Sequence, residues 1–282
     1  MKIISYSLWG SEDRYILPLR ENVEIAAELF PEWETAVYVS RSTGADLKDW
    51  LRSRGVRVVE CGESPDTRGA FWRFRALAVP GAEAVVFRDS DSALTPRDKA
   101  MVGHWLNSDR DFYLCRDHPF HARPIICGSW GAKGEGIRKI GGIADFDPVY
   151  SGYGDDEKFL AQEVYLKYRR EFMVFAPFIL YRGERNEPFP VPRESPMDYI
   201  GRVSLAHCDP RDEIMKEFWR RPAVKPRRRL LIPYTWSWRL AHRMALILRK
   251  KGAASWRDFR REARRRVSRA ADAPRPLPDE RK

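Results

Sequence analysis

Short apolar runs alternate with amphipathic stretches along the first half of the chain. The apolar runs are rich in β-branched and aromatic residues and predict buried strands. They are Lys2–Leu8, Thr35–Ser40, Val56–Glu60, Ala84–Arg88 and Phe112–Cys115. The stretches between them predict helices over Arg14–Phe30, Ala45–Arg54, Phe71–Leu77 and Pro96–Leu106. Strands that alternate with helices predict an α/β fold, with a mainly parallel sheet flanked by helices.

The first predicted helix carries an apolar stripe. Its members fall near helical spacing and predict the buried face; they are Leu17, Val23, Ala26, Ala27 and Phe30. Pro18 limits where this helix can start.

The pattern is weaker after the fifth strand. Six glycines between Ile125 and Gly142 predict loops and turns around one short segment. Asp155–Arg170 predicts a helix and Phe172–Phe175 a late strand. The four prolines of Phe178–Pro196 predict an irregular stretch.

Charge is divided unevenly along the chain. The 282 residues include 51 Lys and Arg and 40 Asp and Glu, for a formal net charge of +11. Residues 220–282 hold 21 basic and 5 acidic residues, so residues 1–219 hold 30 basic and 35 acidic ones. We therefore predict a slightly acidic α/β body at 1–219, a basic amphipathic helical tail at 220–272 and a disordered end at 273–282.

Composition excludes several classes of protein. Hydrophobic residues make up 43% and charged residues 32%, which excludes wholesale disorder and collagen-like structure. No apolar run approaches the length of a spanning helix, and the first run is too short for a signal peptide. The four cysteines are scattered without a CxxC pair, which indicates neither a disulfide framework nor a zinc ribbon. A reduced, cytoplasmic protein is the expectation.

Two carboxylates directly follow the most apolar predicted strand. Asp89 and Asp91 lie at the carboxyl end of Ala84–Arg88, where ligands bind in sheets of this kind. Carboxylates two residues apart in a turn suit Mg²⁺ or Mn²⁺, which often bridges to substrate phosphates. A helix-capping aspartate beside a solvated turn carboxylate is the alternative.

Three segments together resemble one family. FWRF at Phe71–Phe74, RDSDS at Arg88–Ser92 and RDHPFH at Arg116–His121 are similar to GT-A glycosyltransferases, in particular to largely uncharacterised bacterial proteins of surface-polysaccharide type. The resemblance covers Lys2–Tyr199 and implies a GT-A-like, Rossmann-like domain. It implies a metal-dependent glycosyltransferase of the hexosyltransferase type. Such an enzyme would move a sugar from a nucleotide-diphosphate sugar to a glycan or lipid-linked acceptor in polysaccharide biosynthesis.

The resemblance also implies positions for the site. Asp91 would be the main ligand of Mn²⁺ or Mg²⁺, Asp89 would face the metal or the ribose, and His207 is the candidate histidine ligand. The donor would contact the end of the first strand, the Asp-Ser-Asp turn and the glycine-rich segment; the residues are Ser5, Tyr6, Ser7, Asp89, Ser90, Gly128 and Trp130. The acidic run Asp155–Glu157 matches an acceptor-site motif, although it reads DDE rather than DQD.

Basic side chains near these segments are further donor candidates. Arg73, before the Asp-Ser-Asp strand, could hold a diphosphate bidentately or could lie on a solvated helix face. Arg116, His118 and His121 follow the fifth strand. They could hold donor phosphate or sugar hydroxyls, bind zinc, or serve only as turn residues.

Three acidic residues open the helix predicted at Asp155. The helix dipole favours acidic residues there without any function, which accounts for one or two of them. In an inverting enzyme, one carboxylate of Asp155, Asp156 and Glu157 would deprotonate the acceptor hydroxyl, and Asp156 is the preferred base. In a retaining enzyme this residue would position a sugar.

The basic tail has three interpretations. Two amphipathic helices with Trp236, Trp238, Trp256 and Phe259 could lie on an anionic membrane surface, which suits a peripheral enzyme with a lipid-linked acceptor. Nucleic-acid binding ranks lower because no recognised motif accompanies the arginines. A solvated extension or an oligomer contact is the third.

Two rival classes remain. A haloacid-dehalogenase-type phosphatase also carries D-x-D after a strand, but three predicted strands precede it here. A non-catalytic, transferase-like nucleotide-binding protein is the other alternative, and the paired aspartates count against it.

Overall fold

Strands and helices alternate in this computed structural model, which describes residues 1–63, 67–148, 152–203, 210–220 and 227–229. The strands are β1 (Lys2–Leu8), β2 (Trp33–Val39), β3 (Arg57–Glu60), β4 (Ala84–Arg88), β5 (Phe112–Cys115), β6 (Ser129–Lys133), β7 (Phe172–Phe175), β8 (Ile179–Tyr181) and β9 (Arg227–Arg229). The α-helices are α1 (Asp13–Leu29), α2 (Ala45–Ser53), α3 (Pro96–Leu106), α4 (Glu135–Ile140), α5 (Asp155–Leu160), α6 (Leu166–Tyr168) and α7 (Pro210–Trp219). Thr67–Ala78 is a 3₁₀ helix, Gly141–Ile143 is a 3₁₀ turn, and Ala161–Tyr165 is a π-helical turn between α5 and α6.

Seven strands form one sheet in the order β3-β2-β1-β4-β6-β5-β7. β1 lies parallel to β2 and β4, β2 to β3, and β5 to β7. β6 is antiparallel to both of its neighbours. β8 and β9 form a separate parallel pair. The predicted α/β class is confirmed: the sheet is mainly parallel and flanked by helices.

The centre of the sheet is buried on both faces. Every residue of β4 is buried, and in β1 only Lys2 is partly exposed. A strand covered on both sides needs a continuous apolar run, and that is the pattern of AVVFR. Because β1 and β4 are neighbours, their carboxyl ends meet at one edge of the sheet.

The sequence pattern did not predict one strand of the sheet. The prediction of loops and turns around one short segment over Ile125–Gly142 is incomplete, because this range holds both β6 (Ser129–Lys133), between β4 and β5, and the helix α4 (Glu135–Ile140). Gly131 obscures the strand because it contributes no side chain to the alternation. A Cβ there would lie 2.6 Å from Cε1 of Tyr113 and 2.7 Å from the Val85 carbonyl oxygen, so the close approach of the strands requires glycine.

The prediction of the buried face of α1 is also wrong in part. Leu17, predicted to be buried, is 47% exposed, and Ala27 is exposed as well. The residues that face the core are Pro18, Leu19, Asn22, Val23 and Ala26. Pro18 lies inside the helix rather than at its start. The buried face therefore includes one polar residue, Asn22.

Two further predictions need correction. The helix expected over Phe71–Leu77 is a 3₁₀ helix that begins at Thr67, where Gly69 packs so closely on Trp9 that a Cβ would lie 2.7 Å from it. The stretch predicted to be irregular, Phe178–Pro196, contains the short strand β8.

Much of the C-terminal prediction lies outside the described residues. The predicted tail at 220–272 is described only at residue 220 and in β9, and the predicted end at 273–282 is not described. The division into these regions stays a prediction. Within the described part of the chain, no helix is both long enough and apolar enough to cross a membrane.

Candidate active site

A cleft of about 420 Å³ opens at the carboxyl ends of β1 and β4. Its walls come from these strand ends, the 3₁₀ helix, the loop before β6, the start of α5 and the start of α7. The charged side chains that line it are Arg73, Asp89, Asp91, Arg123, Asp156, Glu157 and Arg211. The fold thus brings the Asp-Ser-Asp turn and the acidic start of α5 into one cleft.

Asp89 is held firmly at the end of β4. Its Oδ1 accepts a hydrogen bond of 2.5 Å from Nη1 of Arg73. Gly128 packs directly against it: a Cβ at this position would lie 2.1 Å from Oδ2 of Asp89. Gly128 therefore makes room for the carboxylate, whereas its predicted contact with a donor stays a prediction.

Arg73 is buried and orients Asp89. Its guanidinium also donates to the carbonyls of Ala70 and Arg88, at 3.0 and 2.9 Å. Only 3% of its side chain is exposed. In this structure the group therefore fixes the Asp89 turn, whereas its predicted contact with a donor diphosphate stays a prediction.

The serines at the end of β1 hold the 3₁₀ helix. Ser5 Oγ donates to the Arg73 carbonyl at 2.7 Å, and Ser7 Oγ accepts from the Arg73 backbone N–H at 2.8 Å. Ser7 lines the cleft with Ser90, whereas Ser5 and Tyr6 are buried beside it. These contacts couple β1 to the residue that orients Asp89.

Asp91 carries poorly compensated negative charge. Burial and the neighbouring charge of Asp89 raise the pKa of Asp91 to about 6, although the guanidiniums of Arg211 and Arg73 oppose the shift. A divalent cation would relieve this repulsion, and its hard charge suits carboxylate oxygens. Asp89 and Asp91 thus fit such an ion as two of its ligands.

The rest of a coordination sphere would come from elsewhere. Across the described residues, no group of three or more His, Cys, Asp or Glu side chains is placed to hold a metal. Magnesium-type ions are often bound by one or two carboxylates together with water and substrate phosphates. His207, the predicted third ligand, lies outside the described residues.

The acidic residues at the start of α5 divide into two kinds. Asp155 accepts hydrogen bonds from the Gly152 N–H and Nζ of Lys158, both at 2.7 Å, and does not line the cleft. Its side chain ties the first residue of α5 to the preceding loop, at a helix end where the dipole favours an acidic residue. Asp156 and Glu157 face the cleft.

Asp156 is partly buried in the cleft wall beside Cys127. Burial raises the pKa of the Asp156 carboxyl, while the charge of Arg73 and a hydrogen bond from the Cys127 thiol act in the opposite direction. Burial likewise raises the pKa of the Cys127 thiol, so the sulfur is a neutral donor. Sequence reasoning missed Cys127, because a scattered cysteine gave no signal.

Glu157 is the most perturbed carboxyl of the cleft. Burial and then the charge of Asp156 raise the pKa of Glu157 to about 8. Nε of Arg123, 3.3 Å from the carboxylate, offsets this only in part. Arg123 was also missed, although it lies two residues after His121 in the segment that was singled out.

His121 lines the cleft as a neutral side chain. Burial, His118 and the guanidiniums of Arg211, Arg193 and Arg116 lower the pKa of His121 to about 3. Its Nδ1 has no hydrogen-bond partner among the described residues. A neutral imidazole at the cleft wall can donate or accept one hydrogen bond with a ligand.

The neighbouring candidates serve the scaffold. His118 accepts at Nδ1 from the Phe120 N–H, so its Nε2 carries the hydrogen and donates to the Arg211 carbonyl at 3.1 Å. Arg116 is fully buried and pairs with Glu184. Neither lines the cleft.

Trp130, predicted to contact the donor, stacks on Phe87 with ring centroids 4.4 Å apart and is buried in β6. It does not line the cleft. The rim instead exposes two other aromatic residues, Phe120 at 63% and Tyr153 at 97%. Arg211 reaches the cleft from α7, a helix that the sequence pattern did not predict.

Comparison with known proteins finds similarity among solved structures. No family model and no curated protein sequence matches it. Similar solved structures include S. aureus TarS 1–349 in complex with UDP-GlcNAc, at 15% identity and a TM-score of 0.46, covering 70% of this chain and 62% of that one. Another is the mannosyltransferase PcManGT from Pyrobaculum calidifontis in complex with GDP-Man and Mn²⁺, at 18% and 0.43, covering 62% and 56%.

A cytidylyltransferase from Leptospira borgpetersenii is similar at 14% identity and a TM-score of 0.38, covering 62% of this chain and 74% of that one. The chain spans less than two thirds of the length of the first two structures. At these identities the likeness concerns the fold, and fold does not fix activity. The function must therefore be argued from the cleft.

Proposed function

We propose that this protein is a metal-dependent glycosyltransferase that moves a sugar from a nucleotide-diphosphate sugar to a hydroxyl of a glycan or lipid-linked acceptor. One observation carries the proposal. Asp89 and Asp91, at the end of β4, share a cleft with Asp156 and Glu157, at the start of α5. This reaction needs carboxylates that bind a cation and, beside them, carboxylates for acid–base catalysis. The cleft supplies two of each.

The donor diphosphate would bind at the Asp-Ser-Asp turn. Asp91 and Asp89 would hold Mn²⁺ or Mg²⁺, and this ion would stabilise the negative charge on the departing diphosphate. Arg211 supports the same role, because its guanidinium is close enough to Asp91 to lower the pKa of that carboxyl. His121 beside it offers a hydrogen bond to a phosphate or sugar oxygen.

The two α5 carboxylates would act on different sides of the sugar. Asp156 interacts with the charge of Arg73, with Cys127 and with the charge of Asp89, which supports a role on the donor side. Glu157 pairs with Arg123, and only 21% of its side chain is exposed. We assign Glu157, rather than the Asp156 preferred from sequence, as the base that takes the acceptor proton in an inverting reaction. Its pKa of about 8 is close to working pH.

A phosphatase of the haloacid-dehalogenase type is a poorer fit. Its reaction needs the first aspartate of D-x-D as a nucleophile that reaches phosphorus. Here Asp89 is bonded to Arg73 and packed against Gly128. Oδ1 of Asp89 is therefore engaged by a guanidinium, which makes it a weak nucleophile, whereas the carboxylate, 35% exposed, can still share a cation.

The basic residues after 219 support a membrane location for the acceptor. Their excess positive charge favours an anionic membrane surface, where a lipid-linked acceptor would be found. The proposal predicts that the full chain sediments with vesicles containing phosphatidylglycerol and that salt releases it. Equal binding to neutral phosphatidylcholine vesicles, or preference for nucleic acid of similar charge, would contradict this assignment.

The donor proposal is tested with a panel of UDP, GDP, CMP and dTDP sugars in the presence and absence of Mn²⁺. We expect one nucleotide class to raise the Tm of the wild type only with metal, and Asp91→Asn to abolish the rise. Asp145→Asn, an exposed aspartate outside the cleft, is the matched control and should behave as wild type. Slow release of free sugar from the same donor should follow, as water replaces the acceptor. The absence of any donor-dependent rise would contradict the proposed function.

A further inference from the structure

We propose that Asn22 is a positioning residue that fixes the loop carrying Asp89 and Asp91. The inference rests on the proposed function, since it assigns a role to the loop as a cation site. Asn22 itself does not line the cleft. It lies on α1, about seventy positions before the loop in sequence, and 1% of the residue is exposed.

The side-chain amide of Asn22 makes three hydrogen bonds to the loop backbone. Nδ2 donates to the carbonyls of Ser90, at 3.2 Å, and Ser92, at 3.0 Å. Oδ1 accepts from the Leu94 N–H at 2.9 Å. Both ends of the amide are therefore used, and the three bonds straddle Asp91.

The energetics favour this role over simple packing. Asparagine in the interior of a helix competes with helix formation, and a buried amide without partners is costly. Apolar residues surround Asn22 on the buried face of α1, among them Leu19, Val23 and Ala26. The polar side chain is accommodated there because it satisfies backbone groups of a loop that has no ladder partner on this side.

The opposite side of the loop is held separately. The Ala93 N–H donates to the Arg202 carbonyl at 2.9 Å, and Ser92 forms an antiparallel bridge with Val203. Arg202 in turn pairs with Asp212 of α7 at 2.9 Å. The loop is thus clamped between two elements, and Asn22 supplies the clamp from α1.

Loss of the Asn22 amide should therefore increase the mobility of Asp91 without changing any residue that lines the cleft. Groups that orient metal ligands typically change metal affinity by about 10–100-fold when they are removed. We expect Asn22→Ala, and Asn22→Leu, which keeps the volume, to weaken Mn²⁺ binding at least about ten-fold. The exchange of the Leu94 amide hydrogen should become faster in both variants.

The matched control is Asn186→Ala. Asn186 also accepts a backbone hydrogen bond, from the Ala176 N–H at 2.7 Å, but it does not line the cleft or contact the loop. We expect this variant to lose stability and to keep the wild-type Mn²⁺ affinity. Free Mn²⁺, counted by electron paramagnetic resonance, gives the affinity, and hydrogen exchange with fragment mass spectrometry reports on residues 89–94.

The outcomes separate the two proposals. Weaker Mn²⁺ binding in both Asn22 variants, with the control unchanged, supports the assignment. Wild-type Mn²⁺ affinity and wild-type Leu94 exchange in a folded Asn22 variant would overturn it. If the wild type binds no Mn²⁺, the metal part of the proposed function fails, and Leu94 exchange alone decides on Asn22. If neither variant folds, rapid exchange of Leu94 in the wild type would still refute the clamp, and exchange as slow as that of β4 would support it.

Discussion

Buried and partly buried carboxylates fall into two groups that the fold treats in opposite ways. The paired carboxylates, Asp98, Asp117 and Glu184, have side chains 3% exposed or less. Each meets at least one guanidinium: Arg88 holds Asp98 through two hydrogen bonds, of 2.7 and 3.0 Å. Asp117 meets two arginines, and Glu184 also accepts from a tyrosine hydroxyl.

The second group is the cleft carboxylates, which have too few cationic neighbours to balance their negative charge. They are Asp89, Asp91, Asp156 and Glu157. Arg73 contacts Asp89 and Arg123 contacts Glu157. Asp91 and Asp156 form no ion pair with the described residues. Burial together with like charges raises the pKa of three of the four, Asp91, Asp156 and Glu157.

The difference separates scaffold from site. A carboxylate that is fully buried and matched by fixed guanidiniums stabilises one conformation and is closed to a ligand. Carboxylates that share too few cations retain negative charge that a metal ion or a proton can neutralise. Perturbed carboxyls in a cleft are typical of functional sites for this reason.

The largest expected effect comes from breaking a pair in the first group. Arg116→Met leaves Glu184 buried without its guanidinium, and we expect a loss of about 3–5 kcal/mol in the free energy of unfolding. Arg123→Met in the cleft is the matched control and should cost far less, because 38% of that arginine side chain is exposed. Chemical denaturation measures both, and equal losses would refute the distinction.

Gly128→Ala should disturb the cleft at a smaller cost. Its Cβ would overlap the Asp89 carboxylate, so we expect a loss of about 1–3 kcal/mol and a displaced Asp89. Gly142→Ala is the control, because nothing lies within 4 Å of a Cβ there. Denaturation and Mn²⁺ binding of the two variants are compared. Retention of wild-type stability and metal affinity in Gly128→Ala would show that Asp89 is not fixed as described.

Glu157→Gln should change stability in a pH-dependent way. The unfolded chain releases the Glu157 proton near pH 4.5, whereas the folded protein keeps it up to about pH 8. Wild-type stability therefore falls as the pH rises between these values, and the glutamine variant escapes this loss.

The full shift would correspond to about 4 kcal/mol at pH 8; because the side chain is partly exposed and water screens its charge, we expect the variant to gain about 1–2 kcal/mol there, and nothing at pH 4. Denaturation across this pH range measures the difference. Glu163→Gln, at a partly exposed position where the carboxylate pairs with Lys167, is the control and should not show a gain that grows with pH. A gain that is the same at all pH values would contradict the raised pKa.

Asp91→Asn should have the smallest effect on the apoprotein. It removes one of two neighbouring like charges, so we expect stability within about 1 kcal/mol of the wild type and not below it in the absence of metal. The stabilisation by Mn²⁺ should disappear in the same variant. A large loss of stability without metal would place Asp91 with the paired carboxylates.

The sequence predicted the outline of the fold because local patterns carry it. AVVFR and PRDKAMVGHWL gave β4 and α3 with correct bounds, and Asp89 and Asp91 followed from the strand end. β6 was missed because Gly131 interrupts its alternation. Its strand character depends on two neighbours that lie far away in sequence.

The partners within the site could not be predicted in the same way. Cys127 and Arg211 reach the cleft only through tertiary packing, and no spacing rule connects them to Asp156 or Asp91. Asn22 is the exception that could have been noticed, because a single asparagine interrupts an otherwise apolar helix face. Its three partners, however, lie about seventy positions further on.

The most direct test of undercompensated charge in the cleft is a Mn²⁺ titration followed by electron paramagnetic resonance, with and without UDP or GDP. We predict one site in the wild type, tightened by one of the nucleotides and lost in Asp91→Asn, while Asp145→Asn keeps it. Absence of bound Mn²⁺ with either nucleotide, or binding that Asp91→Asn leaves unchanged, would contradict the account.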